Sequence, residues 1–304
     1  MASVREIKRR IKSVKNISQV TRAMQMIAAS RMRRAQEQAL ASRPYAAKAW
    51  ELLMHFAAQG IDVEQLHPLL ARREVVKNVG IILITADKGL AGGYNGNVIR
   101  KVTRYMQSEG HEDASIVAVG KKGRDFMLRF GRKVIAEFTD LPPRPTSFDV
   151  APIARLAIDG FLNGEFDEVH LAYTDFINTL TQTPTIRLLL PIQPSAEQMS
   201  EVMRDYITDT KPMTKAPYIY EPDPETLLDA ILPSLTELQI YQAVLESRAS
   251  EESARMVAMR NATENAKELI GDLTLTYNKA RQAAITKEML DIAGGAEALS
   301  QASK

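Results

Sequence analysis

Between Asp223 and Ala302 the chain carries Pro224 at its outset, Pro233 in the third turn, and no glycine but Gly271 before Gly294. Nothing in that stretch forbids one nearly continuous helix, and Pro233 predicts a kink rather than a stop. Asp223 suits the N-cap, Pro224 the first helical position, and Glu225 the first turn, where negative charge faces the positive end of the helix dipole. At 1.5 Å per residue such a helix would run roughly 100 Å or more, about three times the width of a small domain. A helix of that length cannot bury itself within a chain of this size, so it needs a partner equally long.

Met256, Met259, Thr263, Ala266, Ile270, Leu273, Tyr277, Ala280 and Ala284 recur in steps of three and four, the seam of a left-handed coiled coil. The start of the chain offers the partner. Ile7, Ile11, Val14, Ile17, Val20, Met24 and Ile27 show the same alternation with hardly a break, Ser3 and Glu6 form a candidate capping box, and no proline occurs before Pro44. The expectation is two terminal helices, over 1–60 and 223–304, wound together antiparallel around a segment, 61–222, that folds as a separate body.

Charge is arranged to suit that pairing. The first 34 residues hold ten Lys or Arg against the single acid Glu6, whereas the C-terminal stretch has more acids than bases. Opposite signs favour the heterotypic pair, although each exposed pair contributes little. The absence of cysteine excludes a disulfide framework, a thiol switch, a thiolate metal site and a cysteine nucleophile, and fits a reducing compartment. There is no apolar signal core and no run long enough to span a bilayer, so contact with a membrane is expected only through partners.

In the middle, Asn78 to Thr85 is a continuous apolar, β-branched run and predicts a buried strand. Further strands are predicted over Ala114–Gly120, Lys133–Phe138, Glu168–Phe176 and Thr185–Leu190. Helices are predicted over Val98–Gln107 and Val150–Asn163, with a short helical turn at Asp125–Phe130. Alternating strands and helices imply a small α/β body with a mostly parallel sheet, the last two strands forming an antiparallel edge hairpin. The first helix is expected to continue past Pro44 to about Ala58 with a bend, and Gly60–Glu74 and Gln193–Pro217 are expected as connectors.

Little in this body asks for catalysis. Gly89, Gly92 and Gly93 lie between a strand and a helix, where a phosphate loop would sit, but they match neither Gly-x-Gly-x-x-Gly nor the lysine-bearing P-loop; a tight turn with close helix packing is the plainer reading. His55, His67, His111 and His170 are scattered, and neither His-Glu-x-x-His nor a serine elbow occurs. No cofactor, metal or catalytic residue is therefore expected. The basic helix lacks interleaved aromatics for base stacking and its apolar seam is already committed, which argues against nucleic acid. The C-terminal tip, Ile292-Ala293-Gly294-Gly295-Ala296 with Ala298, is narrow and made of small residues, and it outlasts its partner helix by roughly 20 residues, about 30 Å. A lone helix gains little in water, so another protein is expected to surround it.

Several segments carry a family resemblance: the N-terminal run from Arg5 to Ile17, Thr21 to Met32, Ser42-Arg-Pro-Tyr, the loop Asp87-Lys-Gly-Leu-Ala-Gly-Gly-Tyr-Asn, Tyr218-Ile-Tyr-Glu-Pro-Asp-Pro, and above all Tyr277 to Leu299. Together they resemble the gamma subunit of rotary F-type ATP synthases over nearly the whole chain. One small departure is Ala293-Gly294-Gly295 before Ala296, which bears on the helical end of the tip. The resemblance implies a long antiparallel coiled coil of the terminal helices with a Rossmann-like α/β domain, and a non-catalytic central-stalk rotor coupling proton flow to ATP synthesis or hydrolysis. Its implied partners are the alpha and beta subunits, the epsilon subunit and the c-subunit ring, at the cytoplasmic face of the cell membrane. With no cysteine pair and no presequence, the bacterial variety is implied.

Carried over by that match, Met24, Arg255, Arg281, Gln282 and Thr286 are expected to meet a loop of the beta subunit. Tyr218, Tyr220 and Glu221 are expected to form a foot on the c ring and epsilon. Without the resemblance these would read as ordinary exposed helix residues, and the alternative function is a static coiled-coil scaffold with an α/β recognition domain.

Overall fold

A computed structural model describes residues 3–58, 67–193 and 224–302. The chain divides into two compact units: residues 1–27 with 256–304, and residues 28–255.

The larger unit is built on a five-stranded sheet in the order β3-β2-β1-β4-β5. The strands are β1 (Val79–Ile84), β2 (Ser115–Val119), β3 (Val134–Phe138), β4 (Glu168–Phe176) and β5 (Gln182–Leu190). The first four run parallel and β5 pairs antiparallel with β4, the expected edge hairpin. Each of β2, β3 and β4 is reached from the strand before it through a helix: α2 (Tyr94–Ser108), α3 (Lys121–Arg129) and α4 (Ser147–Leu162). The predicted short turn at Asp125–Phe130 is the second half of α3; Gly123 within it abuts Thr85, whose Oγ1 accepts its amide at 2.9 Å, so the glycine that weakens the local helical signal serves tertiary packing.

Two helices are longer than any other element, α1 (Val4–Ala58) and α5 (Pro224–Ala302). Both run through their internal prolines, Pro44 and Pro233. The Glu6 amide donates to Ser3 Oγ at 3.2 Å, half of the expected capping box.

Every residue of β1 is buried, and the strand's alternation splits it between two cores. Ile82 and Ile84 face one layer with α4, Ala47 and Trp50 of α1, and Leu228, Leu232, Leu235, Ile240 and Val244 of α5. Ile81 and Leu83 face the other, with Val98, Val102 and Met106 of α2 and Met127 of α3. Burial on both faces is what lets the strand read as an unbroken apolar run. Gly120, at φ 97°, takes the chain from β2 into α3 where a Cβ would lie 2.1 Å from the Thr85 carbonyl oxygen, so no side chain fits there.

The smaller unit is a pair of helical segments closed by one narrow seam. On the α5 side Met259, Thr263 and Ala266 are buried, and Met256, Ile270, Leu273, Tyr277 and Ala280 half-buried, as the spacing predicts; Ala284 is exposed because no residue of α1 reaches it. On the α1 side the expectation needs correction after Val14. The inward positions are Ile7, Ile11, Val14, Ser18 and Thr21, a strict alternation of four and three, whereas Ile17, Val20 and Ile27 are 52%, 58% and 52% exposed. Two consecutive steps of three, from Val14 to Ile17 to Val20, rotate the apolar row off the heptad seam, and Ile27 follows Val20 one heptad later.

Candidate partner-binding surfaces

In α/β folds of this kind ligands bind outside the carboxyl ends of the parallel strands. Here that place is filled by the chain itself. Ser247 Oγ accepts the Thr174 amide at 3.1 Å, Ser250 Oγ donates to the Thr174 carbonyl at 3.1 Å, and Ser253 Oγ donates to the Thr179 carbonyl at 2.8 Å. These serines recur every third residue, so one face of α5 lies along the end of β4. What remains beside Asp87, Tyr94, Gly120, Ser247, Arg248 and Glu251 is a cavity of about 30 Å³, water-sized and far below the few hundred Å³ a nucleotide occupies.

The loop after β1 closes this arrangement. Leu90 and Gly92 adopt left-handed conformations, the Asn95 side chain accepts the Ala86 amide at 2.9 Å, and Ala86, Ala91 and Tyr94 pack with Ala254 of α5. Asp87 ties the ends of two other strands by accepting the amides of Lys121 and Asp140, each at 3.1 Å. Burial pushes the Tyr94 hydroxyl well above its usual range, aided by nearby Glu251, so it stays neutral. The glycine cluster is thus a turn that seats a helix.

Arg255 is part of the same closure. It is 8% exposed, pairs with Glu251, lies 2.9 Å from Glu252, and reaches the Gly89 carbonyl at 3.4 Å. Arg31 approaches Glu252 at 3.6 Å. Burial raises the Glu251 carboxyl while Arg255 opposes the shift. In this chain the Arg255 guanidinium is enclosed by two carboxylates and a carbonyl and holds the Gly89 loop.

In the helical unit the buried hydroxyls of Thr21 and Thr263 lie 2.7 Å apart, one donating to the other. The pair sits in an otherwise apolar seam, and a buried polar pair of this kind specifies register. Counting outward from it, Ile7 falls level with Tyr277, two heptads away on each helix. Beyond Ala280 every described side chain is exposed, although α5 continues to Ala302, about 33 Å further. Leu290 and Ile292 are each 67% exposed, beside Ile285 and Met289.

Arg281, Gln282 and Thr286 stand at the base of this unpaired segment, all exposed, with Thr286 Oγ1 donating back to the Gln282 carbonyl at 3.0 Å. Met24, half-buried, falls level with Arg260, so the structure brings Arg281, Gln282 and Thr286 together and sets Met24 about 32 Å back along the helix. Tyr218, Tyr220 and Glu221 lie outside the described residues. Sequence reasoning missed the outward row Ile17, Val20 and Ile27; counting the heptads strictly from Ile7 would have found it. The buried histidines are structural. His67 accepts the Leu69 amide at 3.0 Å and faces Asp229 at 3.2 Å, and His170 lies between Tyr105 and Glu168. Among the described residues no group of three or more His, Cys, Asp or Glu is placed to hold a metal, and no helix is long and apolar enough to cross a membrane.

Comparison with known proteins bears on these surfaces. Residues 3–299 match a family model described as ATP synthase. The ATP synthase gamma chain of Roseiflexus castenholzii is 50% identical over 303 residues, 99% of this chain and 100% of that one. That of Dehalococcoides mccartyi is 50% identical over 299 residues, 98% and 100% of the two chains. Among solved structures, a chain of the Euglena gracilis mitochondrial ATP synthase, in an assembly of OSCP, F1 and c-ring, superposes with a TM-score of 0.65 at 18% identity, covering 99% of this chain and 96% of that one. A chain from the central stalk and c-ring of the Tetrahymena thermophila mitochondrial ATP synthase gives 0.58 at 24% identity, covering 80% and 99%.

Proposed function

The chain belongs to the family of ATP synthase gamma chains, and from that premise we propose that it is the central-stalk rotor of an F-type ATP synthase. It couples proton flow through the c-subunit ring to ATP synthesis or hydrolysis in the alpha and beta subunits, with the epsilon subunit beside it. The observation that carries the reading is the unpaired reach of α5 beyond Ala280, exposed on every side and apolar at Ile285, Met289, Leu290 and Ile292. Apolar side chains at that density on a lone helix require cover, and a surrounding sleeve of subunits supplies it.

The chain does no chemistry of its own in this scheme. The crevice where a nucleotide would lie holds α5, which supports placing catalysis on the neighbours. Weak, non-directional apolar contacts let a shaft turn within its sleeve, while a few polar groups define preferred angles. Arg281, Gln282 and Thr286, with Met24 and Arg255 farther back, are assigned to the beta subunit, and Tyr218, Tyr220 and Glu221 to the c ring and epsilon. The assembly sits at the cytoplasmic face of the cell membrane, which this chain touches only through partners.

Cysteine crosslinking tests the assignment, and the chain has no native cysteine to interfere. Thr286→Cys should crosslink to beta in the intact complex, and Tyr220→Cys to c or epsilon. The reverse pattern sinks the orientation. A tagged chain should also co-purify one per nucleotide-hydrolysing hexamer; recovery without the hexamer sinks the rotor reading itself.

A further inference from the structure

A groove of about 870 Å³ runs between α2 and the edge strand β5, lined by none of the described residues assigned above. Its floor is apolar, made by Pro184, Ile186 and Leu188 of β5. One rim is cationic: Arg100, Lys101 and Arg104 lie on neighbouring turns of α2, all exposed, and among the described residues none of the three forms an ion pair. Among the described residues no acid lines the groove; Glu109 and Glu168 approach only its far end, beside Tyr105 and His170, where Glu168 is engaged with His170 at 2.9 Å. From this we infer that the groove docks an acidic, extended segment of a partner polypeptide, its apolar side chains on Ile186 and Leu188 and its carboxylates on Arg100 and Arg104.

Spacing selects an extended occupant. Arg100 and Arg104 are one helical turn apart, about 6 Å along α2. Ile186 and Leu188 are two residues apart on one face of a strand, about 6.6 Å. A segment in extended conformation places every second side chain at that same interval, so one face can meet the floor and the other the rim in register. Opposite charge across such a contact sets partner choice and register more than raw affinity.

The occupant lies in the groove and does not add a strand along the β5 edge at its middle. Pro184 has no amide to donate, and its carbonyl already accepts Lys101 Nζ at 2.8 Å. Both features blunt an open edge against pairing. Lys101 is therefore part of the wall, and Arg100 and Arg104 are the cations left to recognise carboxylates.

The full-length chain would be titrated with a labelled peptide alternating glutamate and valine, and with the same peptide carrying glutamine for glutamate, by fluorescence anisotropy. Arg100→Glu with Arg104→Glu should weaken the glutamate peptide about tenfold or more. The same charge change on exposed residues elsewhere, Arg129→Glu with Arg155→Glu, should shift it less than about twofold. Arg100→Gln with Arg104→Gln, which keeps helix propensity, should give an intermediate loss and guards against misfolding. Equal loss from both pairs of substitutions, equal binding of the glutamine peptide, or displacement by inorganic phosphate at matched ionic strength would each overturn the proposal, the last in favour of a small-anion site. In the whole complex, a photocrosslinker at Ser108 should capture a segment of net negative charge; capture of a basic segment would overturn it as well.

Discussion

The sheet body and the helix pair bury apolar side chains in different ways. In the body, β1 is sealed on both faces and Phe161, Ile82 and Met106 are fully enclosed among several elements. In the pair a single row of side chains is covered, with a threonine hydroxyl pair within it, while Ile17, Val20, Ile27, Leu269 and Leu275 stay outside. One region completes its core from its own chain, and the other leaves apolar surface for others to cover. Stability and function should therefore respond to different residues.

The largest expected effect on stability is in the body. Phe161→Ala should cost about 3–5 kcal/mol in urea unfolding, because the site is enclosed and cannot collapse. A loss below about 1 kcal/mol would mean that the body is looser than described. Gly160→Ala comes next: its Cβ would fall 2.4 Å from the Phe166 ring, an overpacking expected to cost about 1–3 kcal/mol by the same measurement.

In the pair, the coupling between Thr21 and Thr263 should be about 1 kcal/mol in a double-mutant cycle with valine, the worth of one buried hydrogen bond. Val20→Ala should change unfolding of the isolated chain by no more than about 0.5 kcal/mol yet impair assembly with its partners; an equal effect on both readouts would erase the contrast.

The smallest effect is on pH dependence. Burial lowers the His170 pKa below its ordinary 6.5, against the opposing pull of Glu168 and Glu109, with His111 adding to the lowering and Tyr105 bonded to the ring. The folded chain prefers the neutral ring, so this contribution is fully present above pH 6.5 and declines as pH falls below it. His170→Gln should flatten the loss of stability as pH falls below 6.5, as followed by thermal melts.

Much of this was legible locally. The apolar run Gly80 to Ile84 announces a strand buried twice over, and the alternation from Met256 to Ala280 announces a seam, because each depends only on period. Ile17, Val20 and Ile27 misled for the same reason. They are apolar at near-helical spacing, and periodicity cannot tell a residue facing its own partner helix from one facing another protein. Arg255 was opaque in another way: Glu251 and Glu252 are visible one turn away in the sequence, but the Gly89 carbonyl reaches it only through the fold. That α5 plugs the crevice at the strand ends was likewise invisible, since three serines at helical spacing have no signature apart from the strand they serve.

That plug has a bearing on how the chain is made. Leu228 through Ala249 complete the packing of a sheet whose strands were all synthesised by Leu190, so the body must wait on the ribosome, unfinished, until its last wall emerges. The segment past Ala280 arrives later still and closes nothing. Once the residues through Ala249 have emerged the chain holds everything its body needs, and a message cut short before residue 228 would yield five strands with one side open to solvent.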